Sequence, residues 1–165
     1  MMEPMRARAL TRRSLLKGAA AGTALALLPR VSAAQGTLAA LAPEEPVDRT
    51  MQRLFGTRPI RDGATLISLE LPLIAEDGGN VAMSVEVKAP MTPQSYVKAI
   101  YVLSDRNPRP LNAKFLLTPG SGQAYVATSL RLADTGDVRA VAEMQDGSLF
   151  MVKRSVRVVV AGCAI

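Results

Sequence analysis

The sequence predicts an all-β protein, an antiparallel sandwich of about seven short strands. Three observations predict it. From residue 64 onward apolar and polar residues alternate with period two, most clearly where Val81, Met83, Val85 and Val87 share one face. Clusters rich in Gly, Pro, Asn and Asp separate these runs at regular intervals. No helical pattern is interleaved between the strands, so no βαβ arrangement competes.

Taken in order, residues 49–56 form a short helical turn stopped by Gly56, with Met51, Leu54 and Phe55 as its apolar face. The expected strands follow at 65–71, 81–87, 96–103, 111–117, 124–132, 138–144 and 150–160, the last with a bend near Arg154-Ser155. Turns fall at 76–80, 90–93, 107–110, 119–122, 134–137 and 145–148. The chain has no Trp and only three Phe and three Tyr, so Val, Leu, Ile and Met must fill the core.

The N-terminus has a different character. Arg12-Arg13 is followed by Ser14-Leu15-Leu16-Lys17, an apolar run over 18–28, and the small residues Val31-Ser32-Ala33-Ala34. A basic start, a short apolar segment and a small-residue cleavage site make a secretory signal over residues 1–34, cut after Ala33 or Ala34. The arginine pair predicts the twin-arginine route and a periplasmic destination. The apolar run is shorter than the ~20 residues a bilayer span needs, so no membrane attachment is expected after cleavage. Residues 35–48, rich in Ala, Pro and Glu, read as a flexible leader.

Removing the signal changes the charge. Of 20 basic and 14 acidic residues, six bases and one acid lie within residues 1–34, leaving 14 against 13. The basic excess belongs to the export signal, and nucleic-acid binding is not expected.

Two absences restrict the chemistry. The chain has no His, which removes imidazole acid–base catalysis, His-activated nucleophiles and imidazole metal sites. It has one Cys, Cys163, which removes internal disulfides and multi-thiolate metal centres. No cofactor is called for. An unpaired Cys in an exported chain reads as a reactive thiol or an intermolecular link rather than as packing.

Cys163 follows the last expected strand on a short arm, 161–165, that reads Ala161-Gly162-Cys163-Ala164-Ile165. A thiol this close to a chain end is hard to enclose, and it suits a residue that visits the active sites of other proteins. Lys153, Arg154 and Arg157 precede it, and positive surroundings lower a thiol pKa. On the solvated face of an edge strand the same three residues are ordinary guards against aggregation, and that reading outweighs the other. Glu76-Asp77 with the following Gly78-Gly79-Asn80 reads as a polar turn, Asn107-Pro108-Arg109-Pro110 as a stiff loop, and Asp134, Asp137 and Asp146 match no calcium-loop spacing.

Several ordered segments resemble the SoxY family of sulfur carriers. They are 71–78 with Val81, Pro90-Met91-Thr92, 96–100, 107–110, 129–133 and 141–147. The resemblance covers roughly residues 50–163, and so a sandwich domain over 49–160 with its carrier arm. It implies an immunoglobulin-like sandwich, twin-arginine export and a heterodimer with a SoxZ-like subunit. It implies that Cys163 is the point of covalent sulfur attachment. It also implies transient partners: a c-type cytochrome, SoxXA, that conjugates thiosulfate to the thiol, the SoxB hydrolase that removes sulfate, and a molybdenum sulfane dehydrogenase. On this reading the chain is a carrier acted on by enzymes and not an enzyme itself. The family arm reads Gly-Gly-Cys-Gly-Gly; here Ala161, Ala164 and Ile165 stand at three of its glycine positions. The added side chains stiffen the arm and broaden its tip, which calls for partners with wider active-site mouths. Two other readings stay open on the residues alone: an exported immunoglobulin-like scaffold whose Cys163 is incidental, and an enzyme using Cys163 directly without a His base.

Overall fold

Period-two alternation survives where one face of a strand is covered and disappears where both are. That rule accounts for most of the architecture. The computed structural model describes residues 43–159. The expected signal with Arg12 and Arg13, the expected leader up to residue 42, and the arm residues Ala161, Gly162, Cys163, Ala164 and Ile165 lie outside the described residues.

The elements are α1 (Val47–Phe55), β1 (Ile60–Asp62), β2 (Ile67–Glu70), β3 (Ile74–Ala75), β4 (Val81–Val87), β5 (Val97–Ser104), β6 (Leu111–Leu116), β7 (Ala124–Leu130), β8 (Gly136–Met144) and β9 (Leu149–Val158). A 3-10 turn at Pro119–Ser121 occupies the Pro-Gly-Ser-Gly stretch between β6 and β7. All seven expected strands form. They make two sheets: a small one in the order β2-β4-β7, and a large one in the order β1-β9-β8-β5-β6 with β3 also beside β9. Inner-face residues of both sheets, among them Leu69, Val85, Ile100 and Ala140, meet in one core of mainly aliphatic side chains. The result is an immunoglobulin-like sandwich.

β4 alternates cleanly between buried and open positions because only its inner face is covered. In β5 every residue from Ala99 to Ser104 is buried. The cause is α1, which lies on the outer face of the large sheet. Val47 and Phe55 pack there against Tyr101, Leu103, Val141 and Leu149, with Met51 and Leu54 at the margin. The Phe55 and Tyr101 rings meet edge to face, 5.0 Å between centroids and 82° apart. The helix begins at Val47, so its first two residues, Val47 and Asp48, lie in the stretch expected as leader. Just before it, Glu45 accepts a hydrogen bond from the buried Thr50 hydroxyl at 2.8 Å and pairs with Arg53 at 2.7 Å.

Two strands were not expected, and both depart from the antiparallel pattern. β1 pairs with the start of β9 in parallel, Ile60 opposite Leu149, and β3 pairs with its end in parallel, Ile74 opposite Arg157. With three and two residues, they are too short to show a period. They also limit the reading of the last strand as an edge, which holds at Lys153 and Arg154 but not at Arg157. β9 has β8 along one side, and β1 and β3 at the two ends of the other, so only the stretch between those two pairings has a strand on the β8 side alone. Among the described residues no helix is long and apolar enough to cross a membrane.

Candidate functional site at the base of the C-terminal arm

β9 delivers the chain to the arm, and its last residues are gripped from both sides. The backbone N–H of Arg157 donates to the Leu73 carbonyl at 2.9 Å, and that of Val159 to the Ala75 carbonyl at 2.9 Å. The backbone of Val158 faces the other way. Its N–H donates to the Thr135 hydroxyl oxygen at 3.0 Å, and its carbonyl accepts from the same hydroxyl at 3.3 Å. Below this grip Val156 is fully buried, while Val158 is half-buried with its side chain on the main core. Strand order is thus held to the last described residue.

The loop between β3 and β4 supports the same corner. The Leu132 N–H donates to the Gly78 carbonyl at 2.7 Å. A side chain at Gly78 would collide with the Leu132 carbonyl oxygen and stand 2.9 Å from Val158 Cγ1, so only glycine lets the loop pass between them. Asp77 Oδ1 accepts the Gly79 N–H at 2.7 Å. The exposed Glu76-Asp77 pair therefore belongs to a self-capped turn.

Next to this corner, the loop between β5 and β6 closes a wide groove of about 860 Å³, whose wall includes Gly78, Arg109, Phe115, Leu130 and Arg131. Asn107 organises that loop. Its Nδ2 donates to the Arg131 carbonyl at 2.7 Å and to Asn112 Oδ1 at 2.8 Å, and its Oδ1 accepts the Ala133 N–H at 2.8 Å. The Asn-Pro-Arg-Pro stretch is therefore a brace between the β7–β8 connection and β6.

The basic residues of β9 divide. Lys153 pairs with Asp137 at 3.4 Å, both partly open to water, which leaves it little field to lend elsewhere. Arg154 and Arg157 are exposed, and Arg157 stands opposite Ile74 at the arm base. Asp134 caps the Thr135 N–H at 2.7 Å and Asp146 the Ser148 N–H at 2.9 Å. No cluster of three metal-binding side chains occurs among the described residues.

A second polar cluster lies under α1. Glu143, buried on β8, accepts from the Tyr101 hydroxyl at 2.8 Å and from Arg58 at 3.0 Å. Burial pushes the Glu143 pKa up, but the Arg58 and Tyr101 bonds outweigh it and hold the carboxyl below its ordinary range. Burial, and then the bond to Glu143, push the Tyr101 hydroxyl up to about 12. Tyr101 packs against Phe55 of the helix, on the outer face of the large sheet.

Sequence reasoning singled out Cys163 and the basic residues of β9 but missed Thr135, Gly78 and Asn107. Their only visible signal is membership of turn clusters, and what each one grips is set by topology.

The chain resembles the sulfur carrier protein SoxY from Chlorobium limicola f thiosulfatophilum, with 27% identity and a TM-score of 0.58 over 69% of this chain and 96% of that one. A superoxide reductase (neelaredoxin) from Ignicoccus hospitalis shares the fold at 15% identity and a TM-score of 0.52, over 57% of this chain and 80% of that one. A putative superoxide reductase from Thermotoga maritima shares it at 17% identity and a TM-score of 0.52, over 62% and 94%. No curated protein gives a match. Fold and sequence together define a small two-sheet β-sandwich whose single cysteine follows an anchored last strand. Residues 51–163 match the family described as sulfur oxidation protein SoxY. The chain belongs to the SoxY family, and its role lies in sulfur oxidation.

Proposed function

We propose that the protein carries sulfur intermediates covalently on Cys163 in the periplasm, as a heterodimer with a SoxZ-like subunit. The observation that carries this reading is the extent of the family match, which runs to residue 163 and so takes in the chain's only cysteine. The grip on β9 supports it. The sandwich is held to Val159, and three residues lie between that point and Cys163, whose Cα can stand at most about 14 Å away. A carrier needs this combination: a rigid body to be recognised and a short tether to be received.

The chemistry asked of Cys163 is sulfur–sulfur bond formation. Its thiolate joins the outer sulfur of thiosulfate to give Cys–S–S–SO₃⁻, and the two electrons released pass to the c-type cytochrome SoxXA. Water, in the SoxB hydrolase, then takes off the sulfonate as sulfate and two protons, leaving Cys–S–S⁻. The molybdenum sulfane dehydrogenase oxidises that remaining sulfur. This chain supplies the thiol and its presentation, and its partners supply the catalysis. Ala161, Ala164 and Ile165 make the tip broader than an all-glycine arm, so its partners need wider entrances. The Arg12-Arg13 signal would export the chain by the twin-arginine route, with the SoxZ-like subunit carried along.

The test is thiosulfate oxidation by the reconstituted partners with wild-type protein and with Cys163→Ser. The reading requires oxidation to stop in the variant while heterodimer formation persists. Undiminished oxidation by Cys163→Ser would leave the protein a scaffold whose cysteine is incidental.

A further inference from the structure

Five large apolar side chains stand exposed among the described residues, and three of them, Leu73, Ile74 and Val159, belong to the two segments whose backbones pair at the arm base. Leu73, just before β3, is 83% exposed and Ile74, its first residue, 54%. The pairing sets these backbones side by side: the Leu73 carbonyl holds the Arg157 N–H, Ile74 lies opposite Arg157, and the Ala75 carbonyl holds the Val159 N–H. The neighbouring inward positions, Ala75 and Val158, are committed to the core. The outward side of this corner therefore carries Ile74, opposite Arg157, and Val159 two residues beyond it on the chain, with the exposed Leu73 just before β3. Arg157 makes no ion pair among the described residues. Glu76, also exposed, follows at its border.

We infer that Leu73, Ile74, Val159 and Arg157 form the docking surface for the enzymes that process the Cys163 adduct. The occupant is the rim of an active-site mouth, apolar with an acidic residue to meet Arg157. This inference rests on the carrier reading. The tether supplies the geometric argument. The Cα of Cys163, four positions beyond Val159, stands at most about 14 Å from it, so an enzyme that takes the sulfur into a recessed active site brings its own surface down on the arm base. Whatever the enzyme's chemistry, this is the surface its rim meets. A common apolar patch with one charge gives several enzymes the same foothold, with orientation set by the ion pair.

The test uses the mature protein assembled with its SoxZ-like subunit. Two variants are compared with wild type: Leu73→Ser with Ile74→Ser, and Arg157→Glu. Two rates at Cys163 are read by intact mass, conjugation of thiosulfate by the c-type cytochrome and alkylation by iodoacetamide. Conjugation is expected to slow about tenfold or more in each variant, the size of effect found when a central interface residue is removed. Alkylation, thermal midpoint and heterodimer mass are expected to stay at wild-type values. Conjugation of both variants at the wild-type rate overturns the inference. So does a variant that loses the heterodimer, because the patch is then covered by the partner subunit. Failure of wild type itself to be conjugated while its thiol alkylates freely removes the carrier reading, and this surface with it.

Discussion

The Thr135 hydroxyl grips both backbone polar groups of Val158, accepting from the N–H at 3.0 Å and donating to the carbonyl at 3.3 Å. One side chain in the β7–β8 turn thereby does the work of a strand neighbour where β8 has run out. Thr135→Val keeps the shape and removes both bonds. The expected loss is about 0.5–1.5 kcal/mol by urea unfolding, because the site is open to water. Amide exchange at Val158 should accelerate while amides in the middle of β8 keep wild-type protection.

Gly78 is required by close approach, since a side chain there meets the Leu132 carbonyl oxygen and Val158 Cγ1. Gly78→Ala is expected to destabilise by about 1–3 kcal/mol, the range for forced overpacking. Gly120→Ala is the control. Its added carbon would find only the Thr118 hydroxyl, at 3.6 Å, and the change should stay within about 0.5 kcal/mol. Thermal midpoints of the two variants check the difference.

Acid sensitivity follows from Glu143. Its folded pKa lies below the ordinary 4.5 because the Arg58 and Tyr101 bonds outweigh burial. As pH falls, the unfolded chain takes up this proton first. The stabilisation is complete above the unfolded value and is lost as pH drops through the folded one. Glu143→Gln should lower stability near neutral pH by about 1–3 kcal/mol and flatten the acid limb of stability against pH.

Tyr101 governs the alkaline side. Unfolded it ionises near 10 and folded near 12, so its contribution is full below 10 and is lost as pH rises toward 12. Tyr101→Phe should remove that alkaline decline. Urea midpoints measured at a series of pH values separate the two variants, one altering the acid limb and the other the alkaline.

Phe55 joins α1 to the sheet through its edge-to-face contact with Tyr101. Phe55→Ala is expected to cost about 3–5 kcal/mol. The loss should appear as early unfolding of the helix by circular dichroism, because the main core on the inner face of the sheet does not include Phe55.

The seven long strands were legible because at least one face of each is covered and turn residues bound each run. What the helix covers was not legible. The all-buried run in β5 looks alike in sequence whether a second sheet or a helix lies on its outer face, and the contact of Phe55 with Tyr101 decides it. β1 and β3 were invisible for a different reason: residues 60–62 and 74–75 become strands through bonds to β9, far away in sequence. The same holds for the arm base. Cys163 stood out through composition, with no thiol to pair with and no imidazole to activate it. Thr135 and Gly78 act on Val158 only after the sandwich has brought the β7–β8 turn and the β3–β4 loop together.

The central claim is that Cys163 is a point of covalent sulfur attachment. Intact mass of the mature protein, taken from cells while they oxidise thiosulfate, tests it most directly. Added sulfur or S₂O₃ mass, localised to the peptide that contains Cys163 and removed by a thiol reductant, is the predicted result. A bare thiol at Cys163 throughout active thiosulfate consumption would contradict it.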